Sequence, residues 1–254
     1  MLLDLQKASM WKRISAYIFD SILLVMAAVG VAFLLSSALG YDAYVADREQ
    51  LRSEYELSYG VSFDIEREEY DKLAEQDRKK IDDAYAAFAT DPEVNRIDIL
   101  ILNLALVIIV FSILVPFILF EVLVPRAFGH GRTLGKKIFG IGVMRVDGVK
   151  ISSFQLFVRA ILGKYTLETM IPLFLILSLL FNIFPVVGLL GLAVILAVQA
   201  AVLLFSQLHS PIHDMIAGTV TVDYASQLIF DTPEALLEYK KKKQAEMAER
   251  AEYR

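Results

Sequence analysis

One aspartate stands inside an otherwise apolar stretch: from Ile14 to Gly40 the only charged residue is Asp20. An ionised side chain deep in a bilayer costs roughly 2.5–3.5 kcal/mol on insertion scales, so Asp20 has to face protein and be given a partner. Arg13 precedes it by seven residues, two turns along the same helix face and about 10 Å away along the axis. Its side chain can approach Asp20, directly or through water, or snorkel to lipid phosphate. A partly buried carboxyl, raised in pKa by desolvation and lowered by an arginine, is suited to exchanging a proton for a cation. Glu121, Asn103, Gln199 and Gln207 are further polar groups on helices. Glu121, Asn103 and Gln199 are candidate lining for an ion pathway, although Arg126, five residues on, offers Glu121 a plain interfacial pair. Pro116 removes a backbone hydrogen bond from the helix leading to Glu121 and would loosen it.

Other chemistries are poorly served. The chain has no cysteine, which excludes a disulfide framework, thiol catalysis and Cys-based metal sites. His209 and His213 have the i,i+4 spacing of a zinc pair, but Pro211 lies between them and interrupts the helix. His213 is expected to cap the last helix, or to hydrogen-bond Asp214 or a loop carbonyl. Gly129, Gly131 and Gly135 lack the strand and Lys-Ser/Thr ending of a phosphate loop, and there is no Gly-x-Ser-x-Gly elbow. No enzyme, cofactor or metal site is expected.

The elements that position these residues are hydrophobic blocks. Apolar residues make up 56% of the 254, above the 45–50% of an average soluble chain. Ser21–Gly40 and Ile99–Phe120 are charge-free over 20 and 22 residues, and Thr169–Leu208 over 40. About 20 apolar residues cross a bilayer. The first two blocks are therefore one helix each, and the third is twice too long. It folds back near Asn182-Ile183-Phe184-Pro185, giving arms of about Tyr165–Phe181 and Val186–Ser206; a re-entrant segment is the alternative for the short upstream arm. The stretch after Arg13 is too long for the apolar region of a signal peptide and is expected to stay as an anchor.

Loop charges orient this arrangement. Gly40–Arg96 holds 16 acidic and 8 basic residues, whereas Arg126–Lys164 holds eight basic residues against Asp147 alone. The basic loop belongs in the cytoplasm, and with it Lys7, Lys12, Arg13 and the lysines Lys240–Lys243. The expected fold is an all-α polytopic membrane protein with four transmembrane helices and both termini cytoplasmic. Its segments are 1–40 (N-terminus and first span), 41–96 (acidic extracytoplasmic insert), 97–125 (second span), 126–164 (basic cytoplasmic loop), 165–208 (third and fourth spans) and 209–254 (C-terminal strand and charged tail). Within the insert, Tyr55, Tyr59, Tyr70, Tyr85 and Phe88 can supply a small helical hairpin. In the basic loop, Thr133 starts a capped turn. Asp147-Gly148 between two β-prone runs signals a hairpin, and Gly218–Asp223 is expected to join it as a third strand. After a Ser152 or Ser153 cap, Phe154–Lys164 fits a helix lying in the membrane interface, with Arg159 and Lys164 toward anionic headgroups. Topology accounts for the basic loop, so nucleic-acid binding need not be invoked.

Three pieces of sequence together resemble the RDD family of prokaryotic membrane proteins: Trp11-Lys12-Arg13 followed by Asp20; Thr133-Leu134-Gly135-Lys136-Lys137 leading into Gly142–Gly148; and His213-Asp214-Met215-Ile216-Ala217-Gly218-Thr219. The family is named for an arginine and two aspartates, which by position resemble Arg13, Asp20 and Asp214. The resemblance leaves out the 40–96 insert and the charged tail. It implies a prokaryotic cytoplasmic membrane location. Its implication for function is thin, transport having been suggested and some members being described as Na⁺/H⁺ antiporters.

Asp214 follows the last helix at the face where Arg13 also sits, so one guanidinium could hold both carboxylates and close the first helix on the last. Two functions follow. The preferred one is a membrane scaffold or accessory subunit, with Arg13, Asp20 and Asp214 as a fixed cluster and the insert, interfacial helix and tail as surfaces for a membrane-protein partner. The alternative is secondary transport of a monovalent cation against protons through Asp20, in a site that a homodimer could enlarge.

Overall fold

The computed structural model describes residues 5–206 and 210–252. Its elements, in chain order, are α1 (Met10–Leu39), α2 (Tyr41–Tyr59), α3 (Arg67–Tyr70), α4 (Glu75–Thr90), α5 (Pro92–Phe128), α6 (Leu134–Ile138), β1 (Ile141–Arg145), α7 (Ser153–Leu180), α8 (Pro185–Phe205), α9 (Ile212–Ala217), β2 (Thr219–Asp223) and α10 (Pro233–Glu252). Among the described residues, four helices are long and apolar enough to cross a membrane: α1, α5, α7 and α8. Their apolar side chains are largely exposed, Phe33 at 74% and Leu180 at 74% for example. This is the expected surface where the solvent is lipid. The chain forms two compact units, one from the segments up to Ala28 and from Ile113 onward, the other from Val29–Ser112.

In the first unit the fold-back falls where the sequence places it. Asn182 takes a left-handed φ of 52°, Pro185 opens α8, and α8 packs along α7. Gly188 and Gly191 allow that packing, since a Cβ at Gly188 would come within 3.0 Å of the Leu175 carbonyl oxygen. Three expectations change. The upstream arm is not short, because α7 runs unbroken from Ser153 to Leu180. The interfacial helix is therefore the first part of the third span; Lys164 and Glu168 are covered by protein and do not mark its end. The second span likewise extends on both sides of 97–125, to Pro92 and Phe128. Lastly, the β-patch has two strands, with β1 antiparallel to β2 and Met144 opposite Val220. The Asp147-Gly148 turn forms, but its return arm is not a strand: it makes one antiparallel bridge to β1, Met144 with Lys150, and one parallel bridge on its other side, Val149 with Phe230. It leaves early because Ser152 caps α7 in a reciprocal box with Gln155, which bends the chain away from the ladder. Ile141, Val143, Met144, Val220 and Val222 are fully buried.

In the second unit, α2 and α4 pack together, as the aromatic residues of the insert predict. Tyr55 stacks on Tyr59 and meets Phe88 edge-on at 5.6 Å, while Phe63, from the α2–α3 connection, covers Tyr85 and Phe88. Tyr70 donates to Asp82 and Tyr55 to Asp91; Arg48 pairs with Asp98 at 2.6 Å and lies over the Phe88 ring. Phe88 is only 5% exposed. Phe88→Ala should destabilise the insert by about 3–5 kcal/mol, read as rapid proteolysis within residues 41–96 under conditions where the wild-type insert resists.

Candidate functional site

The charged residues of the first unit converge because α7 is not an α-helix throughout. From Val158 to Met170 its hydrogen bonds run i to i+5, a widened turn frequent at functional sites. In an α-helix Arg159 and Glu168, nine residues apart, would lie two and a half turns apart on opposite faces. Here both reach α9. Arg159 Nε donates to Asp214 Oδ1 at 2.6 Å, and Arg159 Nη2 lies 3.1 Å from His213 Nε2. Glu168 Oε2 is 2.8 Å from His213 Nδ1, and Glu168 Oε1 accepts the His213 backbone N–H at 3.1 Å. Gly163 brings the backbones into contact, since a Cβ there would stand 2.7 Å from His213 Cα. Burial and the Arg159 charge lower the His213 pKa. The neutral ring then donates from Nδ1 to Glu168 and accepts at Nε2 from Arg159.

Asp214 is fully buried. Thr219 and Thr221 of β2 donate to it at 2.8 and 3.1 Å. Burial alone would raise its carboxyl; the Arg159 guanidinium, with Thr219, instead holds it well below the usual carboxylate range. The expected holder was Arg13. Arg13 does feel the Asp214 charge, but also the opposing charge of Arg159, and Arg159 makes the ion pair. Asp20 is likewise held by another element. Thr133 Oγ1 donates to its Oδ2 at 2.5 Å and Gly135 N–H to its Oδ1 at 2.8 Å. Thr133 is at the same time the predicted cap, accepting from Lys136 N–H. Only glycine fits at 135, because a Cβ would fall against the Ala16 carbonyl and the Asp20 carboxylate.

Glu121 lies in a second widened turn, Ile118–Leu123, just after the buried Pro116. Its partner is Lys164 at 2.5 Å, not Arg126, which donates to Ser153. The charge that was to face headgroups thus joins two spans. Gln199 lines a cavity of about 550 Å³ whose wall also includes Arg13, Asp20, Lys136, Lys164, Glu168 and Asp214. Asn103 is exposed on α5 in the second unit, and Gln207 and His209 lie outside the described residues. Sequence reasoning missed Lys136, Arg159, Lys164 and Glu168 as site residues, although Glu168, one residue before a charge-free run, was a visible signal.

Lys136 is the exception to this saturation. It is 7% exposed, and its Nζ has no hydrogen-bond partner among the described residues. Burial, followed by the charges of Arg159 and Lys164, lowers its pKa to about 7 against the partial compensation of Glu121 and Asp20. Between pH 7 and the ordinary lysine pKa the unfolded chain therefore binds a proton that the folded chain does not, and folding stability rises with pH across that window. The difference in thermal stability between wild type and Lys136→Met in detergent should accordingly shift in favour of wild type from pH 7 to pH 10. For the ion pair, Asp214→Ala should cost about 3–5 kcal/mol by leaving Arg159 buried alone. The same unfolding assay should show a smaller loss for Arg159→Met combined with Asp214→Leu.

Comparison with curated proteins and with solved structures returns no match. Comparison with family models returns the RDD family over residues 7–218, which takes in all four spans, the insert, and the Arg13, Asp20 and Asp214 positions. With that match over most of its length, the chain belongs to the RDD family.

Proposed function

We propose that this integral membrane protein is a scaffold or accessory subunit of the prokaryotic cytoplasmic membrane, with both termini and the β-patch cytoplasmic and the acidic insert outside. The observation that carries the reading is the saturation of the carboxylates. Asp20 ties α1 to the loop helix α6, Glu121 ties α5 to α7, and Asp214 ties α7 to β2, at distances of 2.5–3.1 Å. Acceptors so fully occupied favour a fixed joint over an ion path. The orientation rests on the basic Arg126–Lys164 segment and the acidic insert. Secondary transport is the second reading, favoured by one feature: Asp20 is only half-buried and borders the cavity.

Because the chain has no cysteine, single introduced thiols report topology cleanly. In intact cells Gln76→Cys should react with a membrane-impermeant maleimide and Gln244→Cys should not. In proteoliposomes a sodium gradient should drive no more proton flux than in protein-free vesicles. Flux that is present in wild type and lost in Asp20→Asn would replace the scaffold with the antiporter.

A further inference from the structure

The cavity of the first unit combines two features that the joint does not need. At its inner end is Lys136, with nine-tenths of its surface covered and no hydrogen-bond partner for its amino group among the described residues. An unsatisfied buried polar group is expensive, more so when charged. The carboxylates bordering the same space are already engaged, Asp20 by Thr133 and Gly135, Glu168 by His213, and Asp214 by Arg159. What the cavity lacks is an anion. At its outer edge stand Ile14 and Tyr17 of α1 and Leu196 of α8, at 40%, 65% and 65% exposure. These are apolar residues on two membrane-spanning helices, on surfaces that meet lipid. The surface presented inside the cavity is itself mainly apolar. A volume of about 550 Å³ lies within the range of small-ligand pockets.

We propose that this cavity is a lateral binding site for an anionic phospholipid, whose phosphate is received by Lys136 with Arg13 beside it and whose glycerol and upper acyl chain lie against Ile14, Tyr17 and Leu196. A basic pocket between spans is the arrangement that holds lipid headgroups, and a phosphate offers several acceptor oxygens to an amino group with none among the described residues while favouring its charged form. A soluble anion would satisfy Lys136 equally, but it would leave the apolar wall and the lipid-facing rim without purpose. The site is independent of whether the joint serves a scaffold or a transporter.

The test is native mass spectrometry of the full chain, delipidated in neutral detergent and titrated with phosphatidylglycerol, phosphatidylcholine or inorganic phosphate. Wild type should retain one phosphatidylglycerol per chain and little phosphatidylcholine, and millimolar phosphate should not displace the lipid. Lys136→Met should weaken phosphatidylglycerol retention about tenfold. Ala200→Phe, which fills the cavity from α8 and leaves every charge in place, should weaken it comparably and keeps the test open should the lysine variant fail to fold. Equal retention of the two lipids, retention unchanged in a folded variant, or displacement by phosphate alone would each overturn the proposal.

Discussion

The ion pair between Arg159 and Asp214 is the constraint on which the first unit depends. Both side chains are almost wholly covered, at 3% and 1% exposure, so neither can be left without the other. Holding Asp214 there fixes α9, and through Thr219 and Thr221 it fixes β2. β2 in turn sets the register of β1. Reaching Arg159 to α9 requires the widened turns of α7, and the same turns bring Glu168 onto His213. One buried charge thus propagates through a helix, a strand and a loop.

How much of this the sequence discloses depends on the period assumed. The four spans, the turn at Asn182, the Thr133 cap and the aromatic pairing of the insert are all legible, because each follows from local composition or a rule of fixed spacing. The identity of the partners is not. Read at 3.6 residues per turn, Arg159 points well away from Lys164 and Glu168, and Arg159 and Lys164 then look like charges for headgroups. The departure to i,i+5 bonding is a tertiary outcome, stabilised by the contacts it permits at His213 and Asp214. Sequence spacing offers Arg13 to Asp20 along one helix face, and topology offers it to Asp214 at the same end of the bundle. The acceptors of Asp20 instead found donors in a loop more than a hundred residues away. Gly135 and Gly163 are legible only in retrospect, as positions where a Cβ would fall, respectively, against the Ala16 carbonyl oxygen and 2.7 Å from His213 Cα.

The bilayer explains why charges do this work at all. Apolar helices gain little from meeting one another in lipid, since the tails are as apolar as their side chains. The exposed leucines, valines and phenylalanines of α1, α7 and α8 therefore cannot specify which helix lies next to which. Close approach at Gly188 and Gly191 contributes packing between neighbours in sequence. Elements distant in sequence are joined by groups that would be costly unpaired: Glu121 with Lys164, Asp20 with Thr133 and Gly135, Arg159 with Asp214. The cost of a wrong pairing is what makes the right one specific.

That same logic isolates Lys136. In a unit where every buried carboxylate has its donors, a buried lysine amino group with no acceptor among the described residues is a local departure from a rule the rest of the unit obeys. Such departures persist where they serve something other than stability. Removing the charge would relieve the penalty without disturbing the Thr133 cap, which uses only the Lys136 backbone N–H. The cap therefore gives no reason for a lysine side chain at 136. The reason must lie in the space its Nζ faces, which is bounded by Asp20 on one side and by lipid-exposed apolar residues on the other.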